Sequence, residues 1–225
     1  MSAMSAAVST AVLKNVPLLA SFPDDQLRVL TAVVNRRSLS RGTVVMAAGD
    51  PTDSLYIVIA GRLKVMMSDA DGKEVILSIL GPGEYFGEMG LIDDSPRSAS
   101  VVTIEACELL AIARRDFKRC LAENFEMATA VMRGLVQRLR EADRKIGSLA
   151  LLDVYGRVAR LLIDMSEDVN GQKMVTRKIA KQDIAKMIGA SREMVSRVMK
   201  DLQTGGFIEM RGSSILLHDS IMLPE

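Results

Sequence analysis

Cysteine and histidine are scarce: the 225 residues hold two cysteines, Cys107 and Cys120, and one histidine, His218. Two thiols supply neither a disulfide framework nor a four-thiolate metal site, so a reducing cytoplasm is the expected compartment. No apolar run reaches membrane-spanning length, so no membrane partner is expected. The opening MSAMSAAVSTAVLKNV has no basic segment, and Ser and Thr interrupt its short apolar run. A signal peptide is therefore not expected, and the Ser/Ala-rich residues 1–10 are expected to fray. Net charge is only +1, so any affinity for nucleic acid must come from local clustering.

What remains has the proportions of a globular protein, 48% hydrophobic and 25% charged, with length for two domains. From Arg41 to about Ile112 short β-prone runs alternate with turn residues. VVMAA (44–48) meets Gly49-Asp50-Pro51, LYIVIA (55–60) meets Gly61, and RLKVMMS (62–68) meets Asp69-Ala70-Asp71-Gly72. EVILSIL (74–80) meets Gly81-Pro82-Gly83, and ASVVTI (99–104) precedes ELLAI (108–112). Strands at such short intervals indicate a sandwich, barrel or jelly roll.

Downstream the period changes. Phe125, Ala128, Met132, Leu135, Leu139, Ala142, Ile146 and Leu149 recur at alternating steps of three and four. That is the seam of a parallel coiled coil, with Met132 to Leu149 as its dimer-facing set. A long helix packed on its own domain is the alternative. Gly147, Ser148 and a capping Asp153 place a hinge near 147–153. A short amphipathic helix follows over 154–165, then a turn at 168–171.

KQDIAKMIGASREMVSRVMKDL (181–202) has the layout of a helix-turn-helix: a helix to about Ile188, a turn at Gly189 and a capping Ser191. On a wheel of the second helix, Arg192, Glu193, Ser196, Arg197 and Lys200 share one side, and Val195, Val198, Met199 and Leu202 the other. Residues 173–200 hold eight basic and two acidic residues in a chain of net charge +1. Such concentration suits phosphate neutralisation better than a merely solvated face. FIEM (207–210) and SILL (214–217) around Arg211-Gly212-Ser213 read as a β-hairpin wing.

With SREMVSRV (191–198) in view, residues 12–218 resemble the Crp/Fnr family of bacterial transcription regulators, to which the catabolite activator belongs. The resemblance implies an α+β chain: a jelly-roll β-roll of the cyclic-nucleotide-binding type over 12–122, a dimerisation helix over 123–149 and a winged helix-turn-helix over 150–225. It implies that Arg192 and Arg197 contact guanines and that Glu193 accepts from a cytosine amino group, pairings that suit those base edges. Lys181 and Gln182 would lie near phosphates, with Ser191, Ser196 and Lys200 on the same DNA-facing side. A homodimer on a palindromic double-stranded operator, working with RNA polymerase, is the implied assembly.

GPGEYFGEMGLIDDSPRSASV (81–101) resembles the family's phosphate-binding cassette. Gly87 lets the backbone turn into a short helix, Arg97 forks to phosphate oxygens, Ser98 donates a hydroxyl, and Glu88 accepts from a ribose 2′-hydroxyl. Ser78 joins this set by resemblance. A degenerate roll in which Arg97 and Glu88 merely pair is the alternative, leaving a ligand-independent regulator. Relatives that bind cyclic AMP place two hydroxyl residues on the long helix against adenine; here those positions hold Ala142 and Asp143. Asp143 has the chemistry to accept from guanine N–H groups, or to pair with Arg140 one turn back. Cyclic AMP is preferred on the cassette, with cyclic GMP or cyclic di-GMP as alternatives, acting as an allosteric ligand and not as a cofactor.

Relatives that sense gases use iron–sulfur or haem iron, and this chain has too few cysteines and a lone distant His218 for either. Its 15 methionines read as core filler. A signalling subunit that regulates a partner enzyme would have no use for a base-reading helix. No nucleophile–base arrangement, metal-ligand spacing or Walker loop suggests catalysis.

Overall fold

The computed structural model describes residues 9–20 and 22–218. Residues 1–8, where most of the expected fraying falls, and 219–225, the end of the last expected segment, lie outside the described residues. Thr10 already belongs to a helix, α1 (Thr10–Lys14), followed by a 3-10 turn (Pro17–Leu19) and α2 (Asp24–Val33). Pro23 caps α2, and Asp24 and Asp25 in its first turn favour the positive helix end. Leu27 and Leu30 turn its buried face inward.

Eight strands follow. They are β1 (Asn35–Leu39), β2 (Val44–Met46), β3 (Ser54–Ala60), β4 (Leu63–Ser68), β5 (Glu74–Leu80), β6 (Tyr85–Phe86), β7 (Ser100–Thr103) and β8 (Cys107–Ala113), with the short helix α3 (Met89–Ile92) after β6. They form two antiparallel four-stranded sheets, ordered β1-β8-β3-β6 and β2-β7-β4-β5. This two-sheet arrangement is among the folds that the turn spacing allowed, and it is the β-roll that the family resemblance implied.

Strand alternation divides the core. Cys107, Leu109 and Ala111 of β8 face one apolar cluster with Tyr56, Val58 and Phe86. Leu110 and Ile112 face the other, with Leu55, Ile57 and residues of α1 and α2. β1 escapes a reading by hydrophobicity because NRRSL is polar; it pairs with β8 alone at the sheet edge, where polar residues are tolerated.

α4 (Arg114–Glu123) and α5 (Phe125–Leu151) complete this region. Asn124 Oδ1 accepts from the Met127 N–H at 2.8 Å, so the long helix starts at Phe125 and not at 123. It also runs through Gly147 and Ser148 to Leu151, so the break expected near 147–153 falls at the end of that span, at Leu152-Asp153. A glycine costs a helix only about 1 kcal/mol, too little to end one of this length.

The start of the long helix also packs on the first unit. Met127 and Val131 are buried in the β-roll core, and Leu135, one of the expected seam residues, packs against the same core. Steps of four place Met127, Val131 and Leu135 along one stripe that continues to Leu139, so the expected seam borders the residues packed on the β-roll core. Met132, Val136, Leu139, Ile146 and Leu149 are exposed.

The chain divides into two compact units between Gln137 and Arg138. The second holds α6 (Val154–Asp164), β9 (Glu167–Val169), β10 (Gln172–Val175), α7 (Lys181–Ile188), α8 (Arg192–Thr204), β11 (Ile208–Arg211) and β12 (Ser214–Leu217). Asp153 caps α6 by accepting from the Gly156 N–H at 2.8 Å, as its sequence position suggests. β9 and β10 join at a turn with Asn170 and Gly171 both at positive φ, and the sheet runs β11-β12-β10-β9. Val158 and Leu162 of α6 pack with Ile184, Ile188, Val195 and Leu202 beneath that sheet.

Candidate functional site

In the first unit the cassette folds back on β3. The Gly83 N–H donates to Val58 O, and the Val58 N–H to Glu84 O, both at 2.9 Å, which aligns β6 beside β3. Gly87 then turns the chain at φ +86°, a conformation that L side chains rarely adopt. A Cβ there would collide with the Arg97 guanidinium and lie 3.1 Å from Ser54 O. Glycine is thus required at 87 twice over, by torsion and by space.

Arg97 lies beneath this turn, 5% exposed. Its Nη1 donates to Gly87 O at 2.9 Å, and its Nη2 to Ser54 O at 2.8 Å and to Asp53 Oδ1 at 3.1 Å. The guanidinium carbon lies 5.8 Å from the centre of the Tyr56 ring, which stacks on Phe86 at 5.2 Å. Desolvating a guanidinium is costly without such partners, so this shell is what lets Arg97 be buried and holds it in one orientation.

Glu88 begins the next turn fully buried, and its carbonyl accepts from the Leu91 and Ile92 N–H groups at 3.0 Å. Ser98 is exposed, with Oγ 4.0 Å from Met89 Sδ. Ser78 is half-buried on β5, opposite Val65. The structure therefore gathers Gly87 and Arg97 directly, with Glu88 adjacent in the chain. Ala142 and Asp143 are exposed on α5, within the second unit.

Sequence reasoning missed Asp53, Ser54 and Tyr56, which complete the Arg97 shell. No spacing ties residues 53–56 to position 97. The nearest signal was the turn Gly49-Asp50-Pro51, where the Arg97 N–H donates to Asp50 O at 2.9 Å.

In the second unit the helix-turn-helix forms as its residues predict. Gly189 ends α7 in the left-handed region at φ +65°. Ser191 Oγ accepts from the Met194 N–H at 3.2 Å, capping α8. Hydrogen bonds from its own N–H and from the Ser191 hydroxyl hold the Glu193 carboxyl below the usual carboxylate range.

Val195, Val198, Met199 and Leu202 are buried, while Arg192, Glu193, Arg197 and Lys200 are exposed and Ser196 half-exposed. Lys181 and Gln182 are exposed in the first turn of α7. Met194, which the wheel left out, is 42% exposed beside the charged face. The wing pairs Ile208 with Leu217 through Arg211 with Ser214, and His218 is exposed at its end.

Comparison with known proteins agrees with both halves. The family described as Cyclic nucleotide-binding domain matches residues 36–124, and the Crp-like helix-turn-helix domain matches 156–223. A CRP-like cAMP-activated global transcriptional regulator of Mycobacterium tuberculosis is 33% identical over 198 residues, covering 86% of this chain and 88% of the relative. The cAMP-activated global transcriptional regulator CRP of Haemophilus influenzae is 36% identical, covering 78% and 80%. Among solved structures, the c-di-GMP responsive global regulator CLP of Xanthomonas campestris superposes with a TM-score of 0.74 at 30% identity, covering 88% of this chain and 100% of that one.

Proposed function

Since this chain belongs to the Crp/Fnr family of transcription regulators and is a cyclic-nucleotide-responsive DNA-binding regulator, we propose that it is a homodimer. Cyclic nucleotide binding at the 87–98 cassette would switch its affinity for a palindromic operator. The observation that carries this reading is the pairing of the Gly87–Arg97 cradle with an α8 whose exposed side is Arg192, Glu193, Arg197 and Lys200. Cyclic AMP is the first ligand to test, since two cyclic AMP-activated relatives share a third of their residues with this chain. Cyclic di-GMP and cyclic GMP follow, because the family resemblance puts Ala142 and Asp143 where members that bind cyclic AMP place adenine-facing hydroxyls.

In this reading Arg192 and Arg197 address guanine O6/N7 edges and Glu193 a cytosine amino group, while Lys181, Gln182, Ser191, Ser196 and Lys200 hold the phosphates or flank the bases. The exposed Met132, Leu139, Ile146 and Leu149 of α5, with Ala142 and the half-buried Leu135, supply the dimer seam. The ligand must favour the DNA-competent state by about 1–3 kcal/mol for typical coupling. RNA polymerase is the further partner, and the cytoplasm, where the chromosome lies, is the place of action. Binding, not catalysis, is the task of Glu88 and Arg97.

Calorimetry with the three nucleotides, followed by operator binding with each, tests the proposal. Operator affinity that no cyclic nucleotide alters would overturn it.

A further inference from the structure

Arg97 is not the only cation at the Tyr56 ring. The guanidinium carbon of Arg37 lies 5.7 Å from the ring centre, as near as that of Arg97. The two approach from different parts of the sheet. Arg37 belongs to β1 at one edge, opposite Leu109 of β8. Arg97 is fastened to Gly87, just past β6 at the other edge. Tyr56, on β3, is 4% exposed and forms the floor beneath both.

Their charges are in different conditions. Arg97 is buried, and two carbonyls and the Asp53 carboxylate already surround it. Arg37 is exposed, with no hydrogen bond or ion pair among the described residues. Its neighbour Arg36, on the opposite face of β1, pairs with Glu108 at 2.5 Å. Strand alternation puts Arg37 on the same face as Leu109 and Ala111, the face that lines the inside of the roll. An exposed guanidinium that rests on the Tyr56 ring, with its N–H groups unused among the described residues, is a ready receptor for an anion.

We infer that Arg37 is a second anion-binding position of the cradle, which suits it to a ligand with two phosphodiesters, a cyclic dinucleotide. The inference rests on the reading of the cassette as a cyclic nucleotide cradle. A cyclic mononucleotide has one phosphodiester, which the cassette at Gly87 and Arg97 accommodates. A cyclic dinucleotide presents a second, and Arg37 is the cation across Tyr56 that meets it. Arginine suits this role better than lysine because its planar fork matches two phosphate oxygens at once.

The test is calorimetry on the full-length protein, its Arg37→Ala form and its Arg37→Lys form, each titrated with cyclic AMP, cyclic GMP and cyclic di-GMP. The wild type is expected to bind cyclic di-GMP. Arg37→Ala should weaken that binding about tenfold or more, the usual scale for a lost charge-assisted contact, while mononucleotide affinities change by less than about threefold. Arg37→Lys should fall between. Circular dichroism should match throughout, since the side chain is exposed.

A wild type that binds a mononucleotide but not cyclic di-GMP overturns this inference and leaves the cradle reading standing. So does an Arg37→Ala variant that loses all three ligands equally or keeps all three. Failure of the wild type to bind any of them overturns the cradle reading, and this inference with it.

Discussion

The Tyr85 hydroxyl occupies the space that a side chain on Gly134 would fill. It also donates to Val131 O at 3.4 Å, so the strand entering the cassette rests directly on the long helix. Replacing an interior helical glycine by alanine ordinarily stabilises a helix by roughly 1 kcal/mol. At Gly134 the sign should reverse, because the new methyl group displaces Tyr85. Gly134→Ala is expected to lower the melting temperature, and Tyr85→Phe in the same chain to restore part of the loss. Thermal unfolding of the four proteins in that cycle measures the coupling; a higher melting temperature for Gly134→Ala alone would contradict the contact.

Gly87 makes a sharper case. Alanine there incurs a left-handed backbone penalty of roughly 1–2 kcal/mol and pushes its Cβ into Arg97. The same substitution at Gly72 meets nothing within 4 Å and carries the torsional cost alone. Gly87→Ala should therefore abolish nucleotide binding in calorimetry while Gly72→Ala retains it, although both lose stability. Equal affinities in the two variants would mean that the cassette turn does not position Arg97.

How far these features can be read from the sequence depends on how local their causes are. Gly189, Ser191 and the α8 wheel act within one turn of helix, and the structure reproduces them. The cassette was legible as a string, but its charge balance was not: Asp53 and Ser54 reach Arg97 only because β3 and β6 are neighbours. β1 stayed hidden because a polar edge strand has no apolar period. Leu135 was legible as part of an apolar stripe, but its packing on the β-roll core was not, because that contact depends on tertiary structure.

On the DNA side, the exposed Arg192 and Lys181 should fail differently. Arg192→Ala is expected to cost about 1–3 kcal/mol on operator DNA and to relax discrimination at one base pair. Lys181→Ala should weaken specific and random DNA alike and reduce the salt dependence of binding by about one counterion. Fluorescence anisotropy across a salt series, with operator variants, separates the two. Equal loss on specific and random DNA for Arg192→Ala would remove it from base reading.

Burial pushes the thiols of both Cys107 and Cys120 above the ordinary range. At a given pH the folded chain thus holds less thiolate than the unfolded chain. Alkylation at pH 8 should be slow when folded and fast in denaturant. The linkage has a definite sign: the stability these neutral thiols contribute is complete below the unfolded-state pKa and is lost as pH rises through the folded-state one. Denaturant midpoints measured from pH 7 upward should fall more steeply for the wild type than for the Cys107→Ala, Cys120→Ala double variant.

Two successive residues of one α5 stripe allow assembly and folding to be tested separately. Leu139 is 62% exposed, whereas Leu135, one turn earlier, packs on the β-roll core. A carboxylate set against an apolar core without a partner is disfavoured even when half-buried, and an exposed one is not. Leu135→Glu should therefore destabilise the folded unit itself, seen as a lower melting temperature. Leu139→Glu should leave melting of the isolated chain nearly unchanged but place like charges face to face in a parallel seam. Sedimentation is expected to show a monomer for Leu139→Glu, with loss of affinity for a palindromic site and less effect on a half-site. A Leu139→Glu protein that remains a dimer would move the interface off this stripe, and the exposed Val136 face would be the next to test.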